Sequence, residues 1–309
     1  MSIANFETKL RAANTVYSSA FDALRGDYPG TYQLFSEDMQ GIDGVSLNIG
    51  YTENLGVTRV LKAGESRQYD GLVARSTTYD LETIYRAHQL ERKAVKYDPS
   101  GRVGKSVSQF ASEQIEMVDR YIWAALKSNT VLGPDGVALI SASHPTGEGT
   151  QSNTTATALG HSSYRAGKAA MRGFTRENGD ALSMVPTHLF VPVTSEDVAK
   201  EVTGADKPVA VDNSGAESGT RIGVTTIKNV YQGDSTAIVT PLMAAGTWLL
   251  MDLSGSARPW AHGFGEKPTH NAPDAGSEAL RNTDMLEYFL QGDICQGPAN
   301  WQTIYGKIS

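Results

Sequence analysis

Residues 106–127, SVSQFASEQIEMVDRYIWAALK, carry the clearest structural signal in the chain. Val107, Phe110, Ala111, Ile115, Val118, Ile122 and Leu126 recur at helical spacing and form one apolar face, while Glu113, Glu116, Asp119 and Arg120 fall on the others. At about 1.5 Å per residue such a helix would be roughly 30 Å long, enough to act as the spine of a domain.

Beyond this helix the pattern becomes mixed. His161–Phe174 reads as a helix with Tyr164, Met171 and Phe174 on one face, although Gly167 falls on that face too. Thr187–Val193, THLFVPV, reads as a buried strand, and Thr194 with the acidic Asp197 three positions on resembles a helix-starting capping box. Further strands are expected at Ile222–Val230, Ala237–Val239 and Thr247–Leu253. The acidic stretch Ser277–Leu290 reads as helical, and a last strand is expected around Trp301–Tyr305. Strands and helices do not alternate as βαβ units, so the class is α+β and not a doubly wound sheet.

Upstream of the spine lie two elements that cannot bury themselves by local packing. Asn5–Arg25 reads as a helix with Phe6, Leu10, Ala13, Val16, Phe21 and Leu24 on one stripe, followed by a Gly-rich polar link. Residues 57–97 read as a two-stranded ribbon turning at Ala63-Gly64-Glu65, with Thr77, Tyr79, Leu81, Thr83 and Tyr85 on one face and Ser76, Thr78, Asp80, Glu82 and Ile84 on the other. A lone two-stranded ribbon is marginal in water. Both elements are therefore expected to seek burial elsewhere, on the chain's own body or on another copy.

Composition narrows the function. A net charge of −7 and a pI near 5.4 argue against a protein that grips phosphates for its living. The single cysteine, Cys295, suits a reducing compartment as a buried free thiol. No signal peptide is expected, and the apolar run Thr240–Leu253 is too short and too broken to span a bilayer.

No motif for chemistry emerges. The histidines His88, His144, His161, His188, His262 and His270 lack the spacing that places two metal ligands on one helix face. There is no nucleophile elbow and no phosphate loop; Gly101–Gly104 with Lys105 and Ser106 has the wrong spacing for one. The densest basic run, Arg86, Arg92, Lys93 and Lys96, is diluted by Glu82 and Glu91. No catalytic residue, metal or cofactor is expected, which leaves a structural or binding role.

Several short motifs occur in an order that resembles a known family. Asp135-Gly136 with Ser143-His144-Pro145, Pro186-Thr187-His188-Leu189-Phe190-Val191-Pro192 and Asn300-Trp301-Gln302 resemble segments of the Hong Kong 97-like major capsid proteins, nearest to the major head subunits of Mu-like phages. The Gly64–Arg67 turn and the Tyr79–Glu91 strand resemble that family's extended loop. The family's arginines before the terminal Trp-Gln are absent, since Gly292–Trp301 holds Asp293, Cys295 and Gln296 instead.

The resemblance implies an N-terminal arm over 1–45, an extended β-hairpin loop over 46–97, a peripheral domain over 98–130 and 276–309 containing the spine helix, and an axial domain over 131–275. It implies self-assembly as hexamers and pentamers into an icosahedral virion shell, formed in the host cytoplasm and enclosing double-stranded DNA without reading its sequence. Portal, scaffolding and decoration proteins are the further partners implied, with no membrane. The contacts between copies are expected at Phe6, Leu10, Val16, Phe21, Lys62, Tyr79, Tyr85 and Arg92. A lysine cross-link at Lys62 is not expected. Two other readings stand beside this one: an encapsulin-like bacterial compartment shell, and a soluble enzyme with an unrecognised site.

Overall fold

In the computed structural model the spine stretch folds as two helices, Arg102–Ile115 and Met117–Ser128, broken at Glu116. The structure describes residues 3–27, 30–39, 42, 44–54, 66–67, 71–98, 101–147, 149–206 and 229–308. The chain opens with α1 (Ile3–Asp27), α2 (Tyr32–Phe35), β1 (Ser36–Asp38), β2 (Ser46–Asn54), β3 (Leu72–Asp80) and β4 (Glu82–Glu91). Next come α3 (Arg92–Lys96), the two spine helices α4 and α5, β5 (His144–Thr146), β6 (Gly149–Gln151) and α6 (His161–Arg172). β7 (His188–Pro192), α7 (Glu196–Thr203), β8 (Thr236–Thr240), β9 (Trp248–Met251) and β10 (Trp260–Asn271) follow. α8 (Glu278–Thr283), β11 (Met285–Pro298) and β12 (Ile304–Lys307) complete the order.

The break in the spine has a packing cause. Val107 and Ala111 of α4 enter a core with α1 and β11, whereas Val118, Ile122, Trp123 and Leu126 of α5 enter a second core built on β7 and β9. One straight helix could not aim a single stripe at both. Glu116, at φ −76°, ψ −3°, lies at the edge of the right-handed helical region, where the two helices meet. Beside the break Gln114 is fully buried; its amide nitrogen donates to the carbonyls of Arg86 at 3.2 Å and Tyr288 at 3.1 Å, and its oxygen accepts from the Tyr17 hydroxyl. Asp119, expected on the wet side, is buried as well. Its carboxylate accepts from the Tyr32 amide at 2.9 Å and the Thr31 hydroxyl at 3.1 Å, which makes burial of the charge tolerable.

Two four-stranded sheets carry the cores. The first has the order β1-β10-β11-β4, with β11 antiparallel to both neighbours. The second has the order β12-β9-β7-β8, with β7 and β8 parallel and the other pairs antiparallel. The predicted strand THLFVPV is the inner strand β7, with Leu189, Phe190 and Val191 fully buried. Gly167 in α6 proves to be a close-packing site: a Cβ there would lie 2.9 Å from the Tyr305 ring and 3.3 Å from that of Trp248, so only glycine lets the helix settle on β12 and β9.

Several expectations need correction. The N-terminal helix docks on its own chain: Phe6, Leu10 and Phe21 are buried with Val107, Ala111, Leu286 and Tyr288. These three side chains therefore face this body and not another copy. Ser277–Leu290 is not one helix, because from Met285 the chain is strand, burying alternate residues Leu286, Tyr288 and Leu290. β10, placed in the axial region, pairs with β11 in the first sheet, and β12, placed in the peripheral region, pairs with β9 in the second. The acidic start of α7 is present, yet no side-chain cap forms there. Residues 222–228 and the turn at Ala63-Gly64-Glu65 lie outside the described residues.

Because Gln114 satisfies two buried carbonyls and one hydroxyl, Gln114→Ala should lower stability by about 2–4 kcal/mol. Urea unfolding followed by tryptophan fluorescence measures this. A loss under about 1 kcal/mol would show that the join does not depend on the amide.

Candidate assembly surface

The hairpin β2–β3 runs in strict antiparallel register from Ser46↔Asp80 to Asn54↔Leu72. Of its described side chains only Ile49 and Tyr79 are buried. Tyr79 pins its base: the ring lies flat on Gly297, where a Cβ would have no room, and the hydroxyl sits 2.9 Å from the Leu132 carbonyl and 2.8 Å from that of Pro298. Burial pushes this phenol well above its ordinary pKa, so it stays a neutral donor. Midway along, Arg75 grips the buried Glu177 carboxylate with Nε at 2.8 Å and Nη2 at 2.6 Å. Beyond these anchors the odd-numbered face is half-buried and the even-numbered face is exposed, with Leu72 68% exposed and Val45, just before the hairpin, 80% exposed.

The ribbon also differs from its expected partnering. β3 pairs with β2, and β4 leaves the hairpin altogether to form the edge of the first sheet beside β11. The change occurs at Leu81, which belongs to neither strand, and it inverts the buried parity. Up to Tyr79 the odd residues face inward; in β4 the even ones, Ile84, Arg86, His88 and Leu90, do so. Tyr85 is thus turned out and 71% exposed, while Ile84 packs between the two cores. Arg86 reaches Glu113 at 3.3 Å, and the His88 ring stacks on Phe110 at 4.4 Å.

Of the other side chains expected between copies, Val16 is 40% exposed on the outer side of α1. Arg92 lies over the Phe6 ring and 3.5 Å from Asp284. Lys62 lies outside the described residues. The structure therefore brings Phe6 and Arg92 together on one body and leaves Val16 and Tyr85 open.

The motif residues converge in a separate cluster that the sequence reading did not assemble. His144 is fully buried, its Nδ1 2.6 Å from Asp135 and its ring stacked on Trp301 at 4.3 Å. Asn153, equally buried, donates to the carbonyls of Leu139 at 2.7 Å and Trp301 at 3.2 Å and accepts from the Ser141 amide at 2.8 Å. The second imidazole nitrogen of His144 is occupied as well, lying 3.2 Å from the Asn153 amide oxygen. The cluster is a bracket that ties the loop after α5 to the C-terminal segment. Asn153 stands in a polar, aperiodic stretch and gave no pattern by which to find it.

An open cleft of about 430 Å³ lies between the N-terminal segment and β10, lined among others by Tyr32, Ser36, Asp38, His262 and Lys267. Ser36 Oγ is 2.7 Å from His262 Nδ1, a contact between the paired strands β1 and β10. Among the described residues no group of three or more His, Cys, Asp or Glu could hold a metal ion, and no helix is long and apolar enough to cross a membrane.

Comparison with known proteins gives these surfaces a context. A family model described as phage capsid protein matches residues 74–292. The capsid of bacteriophage JBD30 is similar in structure, with a TM-score of 0.55 at 14% identity over 70% of this chain and 92% of that one. A chain from Microbacterium phage Oxtober96 gives 0.54 at 13% identity, covering 90% of each chain. The virus-like particle from Pyrococcus furiosus gives 0.52 at 9% identity, covering 94% of this chain and 98% of that one. No curated protein matches.

Two outcomes follow from the anchors. Arg75→Leu removes the grip on Glu177 and should raise amide hydrogen exchange across 72–80 by about tenfold or more while α4 and α5 are unchanged; equal exchange in the two chains would show that the ion pair holds nothing. Burial also keeps His88, His188 and His262 below their ordinary value of 6.5. The unfolded chain then binds protons that the folded chain refuses, so their contribution is intact above about pH 6.5 and is lost as pH falls below it. His262→Gln should shrink the drop in urea midpoint between about pH 7.5 and about pH 5.5; an unaltered drop would contradict it.

Proposed function

The chain belongs to the phage capsid protein family, and from that membership we propose that it is the major head subunit of a tailed phage, nearest in type to those of Mu-like phages. The family is one of shell-building structural proteins, not enzymes, and its place is the virion capsid. The fold is accordingly the Hong Kong 97-like capsid fold. Copies of the chain build the shell, as hexamers and pentamers on an icosahedral surface that forms in the host cytoplasm.

The physical observation that supports this role is the hairpin β2–β3. It is pinned at its base by Tyr79 and midway by Arg75; its odd-numbered face is half-buried to buried, and its even-numbered face, from Asn48 to Thr52 and from Leu72 to Thr78, is exposed. A ribbon held out in this way gains burial only from a neighbour. The open edge of β4, with Tyr85 outward, offers a second such surface. Each contact is weak, and closure multiplies them, because removing one subunit breaks several at once. The enclosed partner is double-stranded DNA, held without sequence-specific contacts, in keeping with a net charge of −7. A portal, a separate scaffolding factor and decoration proteins complete the proposed set of partners. The encapsulin-like reading shares the fold, and the match to a phage capsid family model favours the phage shell over it.

Expression of the full chain with and without its candidate scaffold, followed by sedimentation and electron microscopy, tests the reading. Thin-walled icosahedral particles are the expected result. A discrete small oligomer under every condition would overturn it.

A further inference from the structure

The sheet β12-β9-β7-β8 is flanked by two helices of opposite chemistry. α6, HSSYRAGKAAMR, contains no acidic residue. Its inner side, Tyr164, Gly167 and Met171, is buried, and it packs against β12. Arg165, Arg172 and, just past the helix, Arg176 are exposed and make no ion pair among the described residues. Lys168 is turned aside to Asp234. Between Arg165 and Arg172 the exposed surface is small: Ala166 and Ala169. In a chain of net charge −7, three unanswered arginines beside a helix without carboxylates mark a face built for an anionic surface.

The matching surface occurs on the same chain. α7, EDVAKEVT, packs against β7 and β8 through Ala199 and Val202, so it lies at the other end of the strand order from α6. Glu196 and Asp197 open its first turn; Glu196 pairs with Lys200 one turn on, and Asp197 is exposed with no ion pair among the described residues. Beside them stand two uncovered valines, Val193 at 56% and Val198 at 36% exposure. Acid with protruding valine at one edge complements arginine with alanine at the other. A polyanion such as DNA could answer the arginines, but it would leave the valines wet.

We propose that in the shell α6 of one copy packs on α7 of the next, Arg165 and Arg172 against Glu196 and Asp197, with Val198 seated over Ala166 and Ala169. The two patches are different and sit on opposite flanks, so the contact is head-to-tail and passes from copy to copy instead of ending at a dimer. Interfaces of this kind draw orientation and partner choice from charge complementarity and weaken with salt. This inference rests on the reading of the chain as a shell subunit.

The test uses the full chain in four arms, read as the fraction of protein in shells by sedimentation velocity, with circular dichroism to confirm folding. Wild type, with and without its candidate scaffold, tests the shell reading. Arg165→Glu with Arg172→Glu makes both flanks acidic, and Glu196→Arg with Asp197→Arg makes both basic; each alone should lower the assembled fraction about tenfold. The four reversals combined in one chain should regain assembly, since every contact then joins opposite charges again. Variants that assemble like wild type, or a folded fourfold variant that does not recover, would overturn the proposal. So would arginine-reversed shells that form normally but hold less DNA, which would assign the face to nucleic acid. A wild-type chain that never assembles would overturn the parent reading and this one with it, a result visible in the first arm alone.

Discussion

The break at Glu116 is the constraint on which the rest of the structure depends. It allows one helical stretch to serve two cores, α4 against α1 and β11 and α5 against β7 and β9. Gln114 and Asp119 flank the join and are both buried, each with its polar atoms satisfied by segments distant in sequence. Burying such groups is costly unless every partner arrives together, so the join is made only when the whole body is assembled. Once it is made, the two sheets are fixed relative to one another and the N-terminal helix has a groove to occupy.

That arrangement divides the chain into what it satisfies for itself and what it leaves open. α1 belongs to the first group: Phe6, Leu10, Tyr17 and Phe21 are as buried as any core residue. The hairpin belongs to the second, anchored by Tyr79 and Arg75 with one face half-buried and the other exposed. A subunit of this design can fold alone and still present surfaces that gain only from neighbours. For a family of shell proteins this is a useful separation, because folding and assembly can then proceed in sequence.

How much was legible in the sequence depended on whether the deciding forces were local. The apolar stripes of 106–127, 161–174 and α1 were readable, as was the inner strand Leu189–Val191, because periodicity and residue type act over a few residues. The kink was not readable, since no proline or glycine marks it and its cause is two cores that only the fold brings together. The parity inversion at Leu81 was hidden for the same reason; Ile84 stood out as an exception on its face and was in fact the signal that the face had changed. At Met285–Leu290 the period-two burial was present in the sequence, but the charged run of α8 just before it drew the helix reading too far. The destination of α1 was set by tertiary packing that an amphipathic stripe cannot specify. Of the candidate site, the motifs around His144 and Trp301 were visible separately, while Asn153, which joins them, was not.

The central claim is that the body is complete in one chain and the hairpin is not. Hydrogen–deuterium exchange on unassembled subunits and on purified shells addresses it directly. The account predicts that amides of 46–54 and 71–80 become protected on assembly while those of α1 exchange alike in both states. Protection gained across α1, with the hairpin unchanged, would contradict it.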